Sequence, residues 1–174
     1  MFRSRTRFEN LIALALIGLG VFFRVIPHPD NFTPTAAIAL FSGVVLPSGL
    51  AFTVPLLIMM ASDLWIGLHP LFLLVWISFA LVAWIGASVR EKEGVLPIGL
   101  AVFGGSLSFF ILTNLGVFLF QNMYPKSVAG LVECFIMALP FFRNSLLGDL
   151  FYSVILFSLF AAGRRVVRVS HKSA

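Results

Sequence analysis

Charge is scarce in this sequence. Only 11% of its 174 residues are Asp, Glu, Lys or Arg, while 60% are hydrophobic. A soluble domain carries about 25% charged and about 45–50% apolar residues. A chain so poor in charge, with a mean hydropathy of +1.04, cannot hide its apolar excess in one small core, so that excess must face lipid. Length is short as well. At about 20 residues per span there is room for six or seven spans and for no soluble domain, which excludes Rossmann sheets, nucleotide-binding folds and extramembrane catalytic domains. A single cysteine, Cys134, excludes an internal disulfide and a cysteine-cluster metal site, and reads as a small buried apolar residue. The chain has no Gly-x-Ser-x-Gly and no His-Glu-x-x-His, and Ser62 has no evident base. Neither Asp63 nor Asp149 carries the Gly-containing motifs of intramembrane aspartyl proteases. The expectation is a protein that is not an enzyme and uses no cofactor.

What is present is a series of apolar runs broken by Pro, Gly and polar groups. Arg3, Arg5 and Arg7 precede an apolar run from Leu11 to Ile26. No small-residue cleavage site follows, and the run ends in Arg24 and Pro27-His28-Pro29, so it reads as a first helix and not as a signal peptide. Thr33-Pro34 reads as an N-cap and first helical proline opening a second helix that Pro47 closes. That helix is shorter than the ~30 Å hydrocarbon layer, so the connection before it must dip into the membrane, where irregular backbone is tolerated only against protein or a watery cavity. The full reading is an all-α bundle of six transmembrane helices forming one domain. The spans cover about 10–26, 34–46, 49–67, 71–89, 96–120 and 144–162, with Pro55 kinking the third and a short lateral helix at about 128–139 before the last.

The pI near 10.2 and net charge of +5 suggest nucleic acid at first sight, but the placement of the charges gives another answer. With six spans and the N-terminus inside, the inner side receives Arg3, Arg5, Arg7, Arg90, Lys92, Arg164, Arg165, Arg168 and Lys172, nine of the 12 basic residues. This is the bias of the positive-inside rule. It puts both termini in the cytoplasm of a bacterial plasma membrane, and no basic–aromatic RNA-binding pattern accompanies it.

The polar residues then fall on the outward side: Arg24, His28, Asp30, Asn31, Asp63, His69, Thr113, Asn114, Tyr124, Arg143, Asn144 and Asp149. An ionisable group at membrane depth costs a few kcal/mol and by default marks a functional site, so this one-sided set reads as an outward-facing pocket for a small solute. Asp63 and Asp149 each sit in a small-Asp-Leu-aromatic tetrad, about one to two turns inside the outer end of a helix. Each either contacts a ligand or ties helices by pairing with Arg24, Arg143 or a helix N-terminus. Asn114 must likewise find another helix or a ligand. Trp65 is the tryptophan close enough to the polar cluster to stack on a ligand. His28 and His69, each beside proline, read as loop histidines and not as a metal site. The expected substrate-binding set is Arg24, His28, Asn31, Asp63, Trp65, Asn114, Tyr124, Arg143, Asn144 and Asp149.

The stretch Arg24-Val25-Ile26-Pro27-His28-Pro29-Asp30-Asn31-Phe32-Thr33-Pro34 resembles a family of bacterial six-span membrane proteins with no assigned function. So do Ser62-Asp63-Leu64, Thr113-Asn114-Leu115-Gly116, Tyr124-Pro125 and the run from Pro140 to Leu150. More distantly, the plan is similar to the substrate-binding S component of energy-coupling-factor vitamin transporters. That resemblance implies a six-helix fold, an outer pocket capped by His28–Thr33 and Gln121–Val128, and as partners an energy-coupling transmembrane subunit and ATPases. The Ala-x-x-x-Ala surface on which S components dock has no counterpart in Leu11–Ile26; the nearest small pairs are Ala39 with Gly43 and Ala83 with Ala87. Two other readings stand beside solute uptake: a proton-coupled carrier using Asp63 or Asp149, and a structural protein of a cell-envelope assembly.

Overall fold

The computed structural model describes the backbone of residues 2–92 and 94–170 and the side chains of 7–92 and 94–164. Of the basic residues that carry the topology reading, the side chains of Arg3, Arg5, Arg165 and Arg168 and the whole of Lys172 lie outside the described residues. The described chain is all-helical: α1 Phe2–Val25, α2 Thr35–Val45, α3 Ser48–Ile66, α4 Phe72–Ser88, α5 Val95–Phe120 and α6 Val128–Ser170. Four stretches are long and apolar enough to cross a membrane: Arg7–Val25, Ser48–Ile66, Val95–Phe120 and Val128–Arg164. Large apolar side chains such as Leu14, Phe22, Leu100 and Leu159 stand exposed along them, which suits a membrane protein, whose outer surface meets lipid. The other two helices are short. At 11 and 17 residues, α2 and α4 reach only about 17 and 26 Å.

The shortest helix is the most central. α2 packs against all five others, and Ala37, Ile38, Ala39, Leu40 and Phe41 are buried. Small residues let it approach α4 closely. A Cβ on Gly43 would stand 2.0 Å from the Ala83 carbonyl oxygen, and one on Gly86 would stand 2.2 Å from that of Leu40. The small pairs Ala39/Gly43 and Ala83/Ala87 therefore lie along one tight helix–helix seam. α3 adjoins on another side. Pro55 does not interrupt α3, but it has no N–H for the carbonyl of Ala51. The Ser42 hydroxyl from α2 donates to that oxygen at 2.9 Å, so one helix repairs the hydrogen bond missing from its neighbour. At the C-terminus of α2, Arg90 donates to the carbonyls of Gly43 (2.8 Å) and Leu46 (2.6 Å). It satisfies acceptors the helix leaves open and complements its negative end.

Two expectations about helix boundaries are corrected. Thr33 does not cap α2: Pro34 holds the cap position with no side-chain cap bond, and the Thr33 hydroxyl meets that of Thr35 at 3.2 Å. Nor does a separate lateral helix occupy 128–139. α6 runs unbroken for 43 residues, with Pro140 inside it. Its first turns lie along the C-terminal half of α5, where Phe110 contacts the rings of Phe135 and Phe142, and this packing supports the helix on both sides of the proline. As a result Asp149 stands at the middle of α5, opposite Ser106, about 32 Å from the start of α6, and not near a helix end.

Candidate functional site

The histidine end of the bundle, where the α1–α2 and α3–α4 connections carry His28 and His69, holds a cavity of about 500 Å³. The length of α2 explains it. The central column is helical for only about 17 Å, and above Thr35 it is filled by the irregular 26–34 connection and by open space. Ala36, in the first turn of α2, forms part of the floor, and Val75, Phe79 and Phe109 supply apolar wall. Arg24, His28, Asn31, Thr33, His69, Thr113, Ser145 and Asp149 supply the polar lining. A volume of this size falls within the roughly 300–1,000 Å³ of small-molecule sites, and its lining combines an apolar wall with convergent polar groups.

The connection is held down by its own side chains. Phe32 packs over Gly148, where an added Cβ would lie 3.3 Å from the ring, and against the rings of Phe151 and Tyr152. Asn31 adopts a left-handed backbone (φ 58°), which asparagine tolerates better than most residues. The Asn144 amide donates to the Asp30 carbonyl at 3.2 Å.

The two aspartates have different surroundings. Asp63 is 2% exposed and fully engaged. Arg24 Nη2 donates to one carboxylate oxygen at 2.6 Å, and the Trp76 indole donates to the other at 2.8 Å. Arg24 Nε also donates to the Ser62 hydroxyl at 2.7 Å. α1, α3 and α4 are joined through this one carboxylate, which stands behind the cavity wall. Asp149 is 6% exposed, and among the described residues it pairs with no basic group. The Ser106 hydroxyl donates to it at 2.6 Å, and it lies beside Ala36 and Ala37 in the first turn of α2, the positive end of that helix. It is the buried carboxylate of the cavity lining.

The histidines are oriented by the backbone. His69 Nδ1 accepts from the Leu71 amide at 3.2 Å, which in the neutral ring leaves the proton on Nε2. His28 Nδ1 donates to the Pro29 carbonyl at 2.9 Å, which leaves its Nε2 as an acceptor. The mouth thus offers one ring nitrogen of each kind. No group of three His, Cys, Asp or Glu side chains placed to hold a metal occurs among the described residues.

Of the residues expected from the sequence, the structure gathers Arg24, His28, Asn31 and Asp149 around this cavity. Asn114 lines a smaller adjoining space of about 120 Å³ that shares Asn31, Phe109, Thr113 and Ser145 with it. Its amide donates to the Phe110 carbonyl of its own helix at 2.8 Å. Asp63 lies behind Arg24, and Asn144 turns to the loop backbone. Trp65 is 79% exposed, and neither it, Tyr124 nor Arg143 borders the cavity. Ser145 and Ser106 were not among the expected site residues, nor was Trp76 as the partner of Asp63. Helical spacing was the available signal, since Ser145 lies four residues before Asp149, on the same face. Neither a curated protein nor a solved structure matches the chain. Residues 4–170 match a family of unknown function, DUF6580, and the chain belongs to that family.

Proposed function

We propose that this is a membrane protein that binds a small polar solute in the histidine-end cavity, that the cavity opens to the outside of the bacterial plasma membrane, and that both termini lie in the cytoplasm. The observation that carries the reading is Asp149: a buried carboxylate with no cationic partner among the described residues, facing an open cavity of ligand size. Arg24 is offset by Asp63 and retains the Nη1 donors, so the cavity offers one acceptor-rich pole at Asp149 and one donor-rich pole at Arg24 and His69. A solute with an N–H donor or cationic group at one end and an acceptor at the other fits that polarity. Uptake in the manner of an S component extends this reading. The Ala39/Gly43 and Ala83/Ala87 stripes already face each other, so a coupling subunit with its ATPases would need another surface.

Native mass spectrometry of the protein purified from its membrane should show one small molecule retained. Asp149→Asn, which keeps the shape and removes the charge, should abolish retention and leave the melting temperature close to that of the parent protein. A wild-type protein that carries nothing, or a variant that loses stability and ligand in the same proportion, would refute the pocket. A proton-coupled carrier is the second reading, favoured by the same unpaired Asp149 and not by the ion-paired Asp63. It requires uptake to stop when the proton gradient is collapsed.

A further inference from the structure

A second space lies at the opposite end of the bundle, between the facing stripes of α5 and α6 and below the last turn of α2. It measures about 860 Å³ and is walled by apolar side chains including Val44, Ile98, Val102, Val154 and Phe157. Its α6 stripe, Leu150, Ser153, Val154, Phe157, Ala161 and Arg164, follows helical spacing along one face. From Arg164 to Leu150 the groove extends about 21 Å, enough to run from headgroup level through one leaflet, about half of the ~30 Å hydrocarbon layer. Charge is confined to one end and has one sign: Arg90, Lys92 and Arg164 line it there. All three are exposed; Arg90 is committed to the carbonyls of Gly43 and Leu46, and Arg164 stands over the Phe160 ring at 5.8 Å with its N–H donors still open to a phosphate. Glu91, on the same connection, is not part of the lining. Deep in the groove the Ser153 hydroxyl is buried without a hydrogen-bond partner.

We propose that this groove holds an anionic phospholipid of the cytoplasmic leaflet, its acyl chain between α5 and α6 and its phosphate at Lys92 and Arg164. The apolar length excludes a water-soluble anion as the natural occupant, and the cationic mouth selects an anionic headgroup over a zwitterionic one. The site is separate from the histidine-end cavity and does not depend on what that cavity binds.

The test is native mass spectrometry of the full chain in mild detergent, titrated with phosphatidylglycerol or phosphatidylcholine of identical acyl chains. One phosphatidylglycerol should bind saturably, and Lys92 and Arg164 should each contribute about fivefold to its preference over phosphatidylcholine. Lys92→Gln with Arg164→Gln should bring the two lipids level, while Arg143→Gln, at the other end of the bundle, should leave the preference intact. Gly99 lines the groove, and an added Cβ there meets no atom within 4 Å. Gly99→Leu starts from an unobstructed Cβ, should project into the groove, and should weaken both lipids about tenfold, the order expected for losing one or two buried methylenes. Equal retention of the two lipids by the wild type would overturn the proposal, as would a preference that survives loss of both cations or falls equally with Arg143→Gln. Lipid binding untouched by Gly99→Leu, or displacement of the lipid by millimolar inorganic phosphate, would also overturn it.

Discussion

Asp63→Asn isolates the chemistry of the three-helix junction. In the native protein two donors converge on two carboxylate oxygens, Arg24 at 2.6 Å and Trp76 at 2.8 Å. Asparagine supplies one acceptor and turns an NH₂ group toward the other donor, so at least one hydrogen bond is lost and the arginine loses its counter-charge. Removing one partner of a fully buried ion pair destabilises by about 3–5 kcal/mol. Here Asp63 is 2% exposed but the Arg24 side chain is 19% exposed, and water can take up part of the stranded guanidinium. A loss of about 2–3 kcal/mol is expected, the upper part of the range for a hydrogen bond to a charged group. For a chain of this size that lowers the melting temperature by about 5–10 °C. The assay is thermal unfolding in detergent, followed by exposure of Cys134 to a thiol-reactive dye. Combining Asp63→Asn with Arg24→Gln should lose less than the sum of the single changes, because the second change removes the stranded charge. Additive losses, or a melting temperature equal to the wild type for Asp63→Asn alone, would refute the tie.

Gly43→Leu should lower stability by more than the about 1–3 kcal/mol of ordinary overpacking, because the atom its Cβ meets at 2.0 Å is backbone and cannot rotate away; unfolding at the wild-type temperature would count against the α2–α4 seam. Topology is checked by single cysteines at Asn122 and Glu91 in a Cys134→Ala background. An impermeant maleimide added to intact cells should label Asn122→Cys and spare Glu91→Cys, and the reverse pattern would invert the assignment of the two ends.

The helices were legible because proline, glycine and polar groups punctuate the apolar runs, and the shortness of the second helix was legible from Pro34 and Pro47, which bracket it. Sidedness of individual residues was harder to read. Trp65 lies only two positions from Asp63, but two residues turn an α-helix through about 200°, so when Asp63 is buried Trp65 faces outward. Trp76, 13 residues away on the next helix, is the tryptophan that reaches Asp63, as a hydrogen-bond donor and not as a stacking surface in the cavity. The same geometry separates Arg143, six residues before Asp149, from Ser145, four residues before it. The extent of α6 was misread for a different reason: Pro140 breaks an isolated helix, but here the aromatic contacts of Phe110 with Phe135 and Phe142 hold both sides of it against α5. Such support comes from a distant part of the chain and leaves no local mark in the sequence.

Both cavities follow from one feature, an 11-residue helix at the centre of a bundle whose outer helices include one of 26 residues and one of 43. A core helix that short cannot fill the column it occupies, so space opens beyond each of its ends. What fills that space depends on the neighbours. At the Thr35 end the adjoining connections bring His28, Asn31 and His69, and α6 places Asp149 against the first turn, so the space is polar and α2 presents its positive end to it. At the Val45 end, Arg90 consumes the free carbonyls and the flanking stripes of α5 and α6 are apolar, so the space is greasy with a cationic mouth. The polarity of each cavity is therefore matched to the end of α2 that it meets. A central helix extended by two turns at its N-terminus would remove the histidine-end cavity and leave the groove between α5 and α6 intact.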